Sequence, residues 1–128
     1  MDKMKAITFF DLDGTLLDGT SQITPEITAA VAALKDNQIL PLIATGRTLC
    51  EIQPIMKASG IDSAIVMNGQ FIHYEGKTIY SDEFTTEECV LLHEHVKQRG
   101  HELAFYNERR IFCTGHTGTP VSYTHLRA

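Results

Sequence analysis

The run Ala6-Ile7-Thr8-Phe9-Phe10-Asp11-Leu12-Asp13-Gly14-Thr15 constrains the fold more than any other stretch of this chain. A short apolar segment that stops abruptly in charge reads as a buried parallel strand, because both faces of such a strand are covered. Its carboxyl end is the edge where open α/β sheets place their ligands. Two carboxylates spaced two apart at that edge carry a desolvation cost, which a bound cation or a reacting group offsets.

The pattern downstream repeats the unit. Thr24-Pro25-Glu26 reads as a helix start, with Thr24 capping and Pro25 at the first helical position. Ile27, Ala30, Val31 and Leu34 then share one apolar face, and Asp36-Asn37 ends the helix. Ile39–Ala44 is a second buried strand, with Pro41 tolerated near its start, and Thr45-Gly46-Arg47 follows at its carboxyl end. A helix over about 48–59 closes at Gly60. A third strand lies within Ile61–Met67 and ends in Asn68-Gly69. Phe71–Tyr74 and Lys77–Tyr80 flank Glu75-Gly76 as a hairpin. Thr85-Thr86-Glu87-Glu88 has the form of a capping box before a helix over Cys89–Arg99, with Gly100 as its end. Leu103–Tyr106 and Arg110–Cys113, on either side of Asn107-Glu108-Arg109, predict a second hairpin.

The predicted fold class is α/β: a Rossmann-like parallel sheet built from right-handed β-α-β-α-β units, followed by the start of an α+β module. The expected boundaries are 1–82 for the sheet with its first hairpin and 83–119 for the module. Residues 120–128 resemble a translated sequencing-adapter tail and are set outside the fold, with a native edge strand, in which Val121, Tyr123 and His125 alternate with smaller residues, as the alternative.

Bulk properties exclude several classes. A length of 128 residues fits one domain or a piece of one, and 43% hydrophobic with 21% charged residues describes a globular chain. The net charge of −5 argues against nucleic acid or an anionic membrane as partner. No apolar stretch approaches the ~18 residues of a membrane span, and the first apolar run is too short for a signal-peptide core. Cys50, Cys89 and Cys113 are far apart and lack metal-ligand spacing, so reduced thiols in a cytoplasmic protein are expected.

The acidic pair points to phosphoryl transfer. An aspartate can accept a phosphoryl group as a reactive acyl phosphate, which splits the reaction into capture and hydrolysis. A second acid serves both steps, protonating the leaving alkoxide and then activating water. Asp11 is the candidate nucleophile and Asp13 the candidate acid/base, with Gly14 supplying the turn and Thr15 able to fix Asp13 through a local hydrogen bond. A carboxylate about 4 Å from a dianionic phosphate is repelled by roughly 8 kcal/mol at an effective dielectric of 20, so cations must offset the charge. Mg²⁺ suits oxygen ligands and orients both oxygens of the displacement. The Leu12 backbone N–H, the Thr45 hydroxyl and amide, and the close backbone approach at Gly46 are candidate phosphate contacts.

Rival readings fit less well. A calcium loop starting at Asp11 needs an acidic or amide residue where Thr15 stands and a glutamate where Gln22 stands. A receiver domain places its acceptor aspartate after strand three, where this chain has Met67-Asn68-Gly69. His93 and His95, two apart on a helix, point to different sides and do not form a zinc pair. Arg109-Arg110 reads as a solvated hairpin tip, with an acidic-substrate grip as the alternative. Tyr74, Tyr80 and Phe84 are explained equally by hairpin packing and by a substrate entrance.

Asp11-Leu12-Asp13-Gly14-Thr15-Leu16 resembles the first motif of the haloacid-dehalogenase-like hydrolases, and Ala44-Thr45-Gly46-Arg47 resembles the second motif of their Cof-type branch. Asn68-Gly69 followed by a hairpin is also similar to that branch, where it precedes a mobile α/β cap. The match covers about residues 5–115. The resemblance implies a Mg²⁺-dependent phosphomonoester hydrolase acting on a small phosphorylated metabolite. Asp11 would be its nucleophile, Asp13 its general acid/base and Thr45 a phosphate ligand. Mg²⁺ would sit on Asp11 and the Asp13 carbonyl, with Arg47 and Asn68 facing the substrate. A phosphomutase of the same superfamily and a non-catalytic phosphate-binding module are the alternatives.

The family also uses a later lysine and an acidic pair, for which this chain offers no counterpart: Lys77 and Lys97 stand in the wrong context, and Glu108 is alone in a turn. The expectation is therefore a chain that stops inside the cap, has little activity alone, and exposes Ala6–Phe10 as an apolar edge that invites association.

Overall fold

The structure, a computed structural model, describes residues 3–115. The predicted tail over 120–128 lies outside the described residues. The chain divides between Ser81 and Asp82 into two compact units.

The first unit is built on a five-stranded sheet in the order β1-β2-β3-β4-β5. The strands are β1 (Ala6–Phe10), β2 (Ile39–Ala44), β3 (Ala64–Val66), β4 (Phe71–Tyr74) and β5 (Lys77–Ser81). β1, β2 and β3 are parallel, and β4 and β5 add to β3 as an antiparallel hairpin. The first predicted hairpin thus extends the same sheet. β3 is shorter than the apolar run Ile61–Met67, because Ile61 and Ser63 are buried before the strand begins, where the Ser63 hydroxyl accepts the Glu75 N–H at 3.2 Å.

Two helices supply the crossovers. α1 (Pro25–Asp36) starts where Thr24 Oγ1 accepts the Ile27 N–H, with Pro25 as its first residue. α2 (Leu49–Ser59) starts at a capping box: Glu51 Oε2 accepts the Thr48 N–H at 2.8 Å while Thr48 Oγ1 faces the Glu51 N–H. α2 ends at Gly60, whose φ of 80° is the left-handed conformation that glycine adopts without strain.

Strand register sorts the side chains. Phe10, Ile43 and Ala64 are cross-strand partners, and they share a core with Val31 of α1 and Leu49 and Ile52 of α2. One face of the sheet therefore carries both helices. On the opposite face Ile7 pairs with Leu40 and Phe9 with Leu42. Leu40 and Leu42 are buried, but Ile7 is 52% and Phe9 57% exposed. Among the described residues β1 is the edge strand, as its apolar exposure also indicates.

The second unit contains α3 (Thr86–Gln98) and the antiparallel pair β6 (Ala104–Tyr106) and β7 (Ile111–Cys113). α3 begins three residues before the predicted Cys89, because the capping box makes Thr85 the cap and Thr86 the first helical residue. The β6–β7 turn is tied by Asn107 Oδ1, which accepts the N–H groups of Arg109 and Arg110 at 2.8 and 2.7 Å. Among the described residues no helix is long and apolar enough to cross a membrane.

Candidate active site

β1 ends in a turn that buries its leucines and leaves its acidic side chains exposed. Asp11 is still extended (φ −70°, ψ 154°), and the chain then closes through Leu16 N–H to Asp11 O at 3.1 Å and Leu17 N–H to Leu12 O at 2.9 Å. Gly14 takes φ 78°, a left-handed value that costs an L-residue steric strain. Leu12, Leu16 and Leu17 are buried and anchor the turn in the core, while Asp11, Asp13, Gly14 and Thr15 remain exposed. The apolar residues of the motif thus aim the acidic ones outward at the carboxyl edge of the sheet.

The segments after β2 and β3 are stitched together beside this turn. Thr45 N–H donates to Ile65 O at 3.0 Å, Asn68 N–H to Thr45 O at 3.3 Å, and Met67 N–H to Arg47 O at 3.0 Å. Thr45 Oγ1 accepts the Arg47 N–H at 3.1 Å, which leaves its own proton free to donate. At Gly46 a β-carbon would stand 2.9 Å from Asn68 Oδ1, so the glycine admits the Asn68 side chain. Met67 and Asn68 themselves adopt φ of 52° and 55°.

Arg47 then crosses to the acidic turn. Its Nη2 donates to Asp13 Oδ1 at 2.5 Å, with side chains 36% and 62% exposed. Solvent screens a pair this open, so its contribution to stability is at most about 1 kcal/mol. Its effect is positional: it holds the carboxylate of one predicted site residue with the guanidinium of another.

The sequence candidates therefore fall into two linked groups, Asp13 with Arg47 and Thr45-Gly46 with Asn68. The Arg47–Asp13 contact was not anticipated; its signal is that both residues follow neighbouring parallel strands at the same edge. Leu12 has a different arrangement from the one expected. Its side chain is fully buried and its N–H donates to Asp11 Oδ1 at 2.9 Å, so this amide is already engaged by the aspartate.

The donors fit a hard cation in part. Asp11 and Asp13 offer only oxygen, as Mg²⁺ prefers, and Mg²⁺ commonly completes its shell with waters and substrate phosphate. Among the described residues no group of three or more His, Cys, Asp or Glu side chains gathers at one point.

Comparison with known proteins decides the family. The model of the haloacid dehalogenase-like hydrolases matches residues 8–126, nearly the whole chain. This chain belongs to that family. Putative phosphatase YkrA of Bacillus subtilis is 31% identical over 108 residues, covering 84% of this chain and 42% of that protein. A solved structure from Geobacillus kaustophilus HTA426 superposes with a TM-score of 0.80 at 33% identity, over 92% of this chain and 45% of that one. The subclass IIB sugar phosphatase BT4131 superposes with a TM-score of 0.64 at 28% identity, over 85% of this chain and 43% of that one. The chain thus has the Rossmann-like fold of haloacid dehalogenase-like hydrolases and spans less than half the length of these relatives.

Proposed function

We propose that this chain carries the nucleophile-bearing part of a phosphomonoester hydrolase that works through an aspartyl-phosphate at Asp11. The observation that supports the reading most is the turn after β1, where buried Leu12 and Leu16 leave Asp11 and Asp13 exposed at the sheet edge and Arg47 reaches Asp13.

In the first step an Asp11 carboxylate oxygen attacks phosphorus. The bond from phosphorus to the ester oxygen breaks, and Asp13 gives its proton to the departing alkoxide. In the second step Asp13 takes a proton from water as the water oxygen attacks phosphorus. The bond to Asp11 breaks and inorganic phosphate leaves. The Thr45 hydroxyl, its oxygen held by the Arg47 N–H, donates to a phosphate oxygen. Arg47 orients Asp13, and with Asn68 it faces the substrate. The Leu12 N–H turns from Asp11 to a phosphate oxygen when substrate enters, because both cannot take the same donor. Asp11 and the Asp13 carbonyl would hold Mg²⁺, which would supply positive charge to offset carboxylate–phosphate repulsion.

The substrate class is a small phosphorylated metabolite, in keeping with the named sugar phosphatase among the solved relatives. The segment from Asp82 begins a substrate-selecting cap. Two carboxylates and one arginine are a partial set for the charge involved, so the 128-residue chain alone turns over slowly, in a cytoplasmic setting.

The test is a single-turnover reaction with an activated phosphate ester and Mg²⁺, quenched with borohydride. Reduction of an aspartyl-phosphate yields homoserine, which peptide mass spectrometry finds at position 11. Homoserine elsewhere, or equal labelling in Asp11→Asn, would overturn the assignment.

A further inference from the structure

We propose that Met67 and Asn68 are positioning residues: their backbone amides hold the Thr45-Gly46-Arg47 turn so that the Gly46 N–H faces an incoming phosphate. This rests on the reading that the carboxyl edge of the sheet receives a phosphoryl group. The direction of each amide follows from the ladder. Ile43 N–H donates to Ser63 O at 3.1 Å and Thr45 N–H to Ile65 O at 3.0 Å, so this row of amides faces β3. Alternation turns the intervening amides toward β1. Gly46 falls in that second row, and its N–H faces the turn that carries Asp11 and Asp13. That turn has already left the ladder, closing on itself through Leu16 N–H to Asp11 O and Leu17 N–H to Leu12 O. Among the described residues the Gly46 N–H meets no acceptor. An open backbone donor at this edge is a contact for an anion.

The segment after β3 holds the peptide in that direction. Asn68 N–H donates to Thr45 O at 3.3 Å, and a trans peptide then points the Gly46 N–H the opposite way. Met67 N–H donates to Arg47 O at 3.0 Å. Two successive amides thus bond to the same short turn. An extended strand cannot do this, because its successive amides point to opposite sides. The chain meets the requirement by leaving the β region: Met67 has φ 52° and Asn68 φ 55°, both left-handed. Asparagine tolerates that region, whereas methionine carries a steric penalty there. Met67 is held in place by its side chain, which is half-buried against the core. Strain fixed by its surroundings in this way gathers at sites that depend on geometry.

The role belongs to the backbone, which separates it from a contact made by the Asn68 side chain. That side chain is exposed and lies against Gly46. Asn68→Gly removes it and keeps the left-handed region open. Asn68→Val removes it too, but a β-branched residue is a genuine outlier at positive φ. In Asn68→Val the amide of position 68 therefore leaves Thr45 O, and the 45–46 peptide loses the bond that sets its direction.

The test is an NMR titration with inorganic phosphate, read at the Gly46 amide of the ¹⁵N-labelled chain. The 128-residue chain carries Asp11→Asn throughout, so covalent capture plays no part, and inorganic phosphate brings no leaving group. The Gly46 proton should move downfield and saturate. Asn68→Gly should keep the phosphate affinity within about twofold, since glycine takes the same dihedrals. Asn68→Val should weaken it about tenfold, the loss of one hydrogen bond to a charged group. Asn68→Ala should fall between them, and it replaces Asn68→Val if that variant does not fold. Gly60→Val sets the same dihedral conflict at the far end of α2, where φ is 80°, and should lower Tm without changing the affinity. Equal weakening in Asn68→Gly and Asn68→Val would assign the effect to the side chain and overturn the proposal. So would a folded Asn68→Val chain that binds as tightly as its parent, or Gly60→Val weakening binding as much as Asn68→Val. A Gly46 amide that stays still while the Thr45 amide responds would also overturn it, and in all these cases the phosphate-binding edge itself stands. A chain in which no amide of this edge responds to phosphate would overturn both.

Discussion

Two glycines of the site separate two kinds of backbone constraint. Gly14 has φ 78° and nothing within 4 Å of where a β-carbon would stand, so Gly14→Ala meets open space but an unfavourable dihedral. A left-handed L-residue costs about 1–2 kcal/mol. The reduced freedom of the unfolded chain returns about 0.4–1 kcal/mol, for a net loss near 1 kcal/mol. In a domain this small that lowers Tm by about 4–8 °C. Gly46 is the reverse case. Its φ lies outside the left-handed region, but its β-carbon would approach Asn68 Oδ1 to 2.9 Å, with the next Asn68 atoms at 3.5 Å. That oxygen is the far end of an exposed, rotatable side chain, which can move aside. Gly46→Ala should therefore change stability by less than about 0.5 kcal/mol. Gly14→Asn should lose less than Gly14→Ala, because asparagine tolerates the left-handed region. Urea titrations of the three variants, followed by circular dichroism, give the ranking. A neutral Gly14→Ala, or a Gly46→Ala more damaging than Gly14→Ala, would refute the reasoning.

The two capping boxes should respond unequally. Thr48 is 2% exposed and its hydroxyl also donates to Glu51 Oε2 at 3.0 Å, so Thr48→Ala should cost about 1–2 kcal/mol, while Thr85→Ala on an exposed helix should cost about 0.5–1 kcal/mol, as urea midpoints will show. The Asp18 carboxyl is held below its ordinary value of 3.8 by the Thr20 hydroxyl first, then by the amides of Gln22 and Thr20. Its folded pKa is thus the lower one, so its contribution to stability is present above the unfolded value and is lost as pH falls through the folded value. A carbon-detected NMR titration should place Asp18 below 3.8, and a midpoint at or above that value would contradict the hydrogen-bonded loop.

Much of the fold was legible because its signals are local. The bounds of β1 and β2 follow from apolar runs cut off by charge, and the starts of α1 and α2 from Thr24-Pro25 and Thr48. β3 lies within the apolar run Ile61–Met67, but its exact ends are not legible there, because burial of Ile61 and Ser63 belongs to tertiary packing rather than to strand pairing. α3 starts earlier than its apolar pattern suggests, because the last three residues of the capping box are already helical. Within the candidate site, residue types single out Asp11, Asp13 and Thr45 as candidates, but the engagement of the Leu12 N–H and the reach of Arg47 depend on turn geometry and strand order. Neither leaves a trace in composition or periodicity.

The central claim is that Asp11 is the group that takes the phosphoryl unit. Beryllium fluoride mimics that unit on a carboxylate, and ¹⁹F NMR of the chain with Mg²⁺ and beryllium fluoride reads it directly. Bound resonances that persist in Asp13→Asn and vanish in Asp11→Asn are the predicted result. Identical spectra from Asp11→Asn and the unsubstituted chain would contradict it.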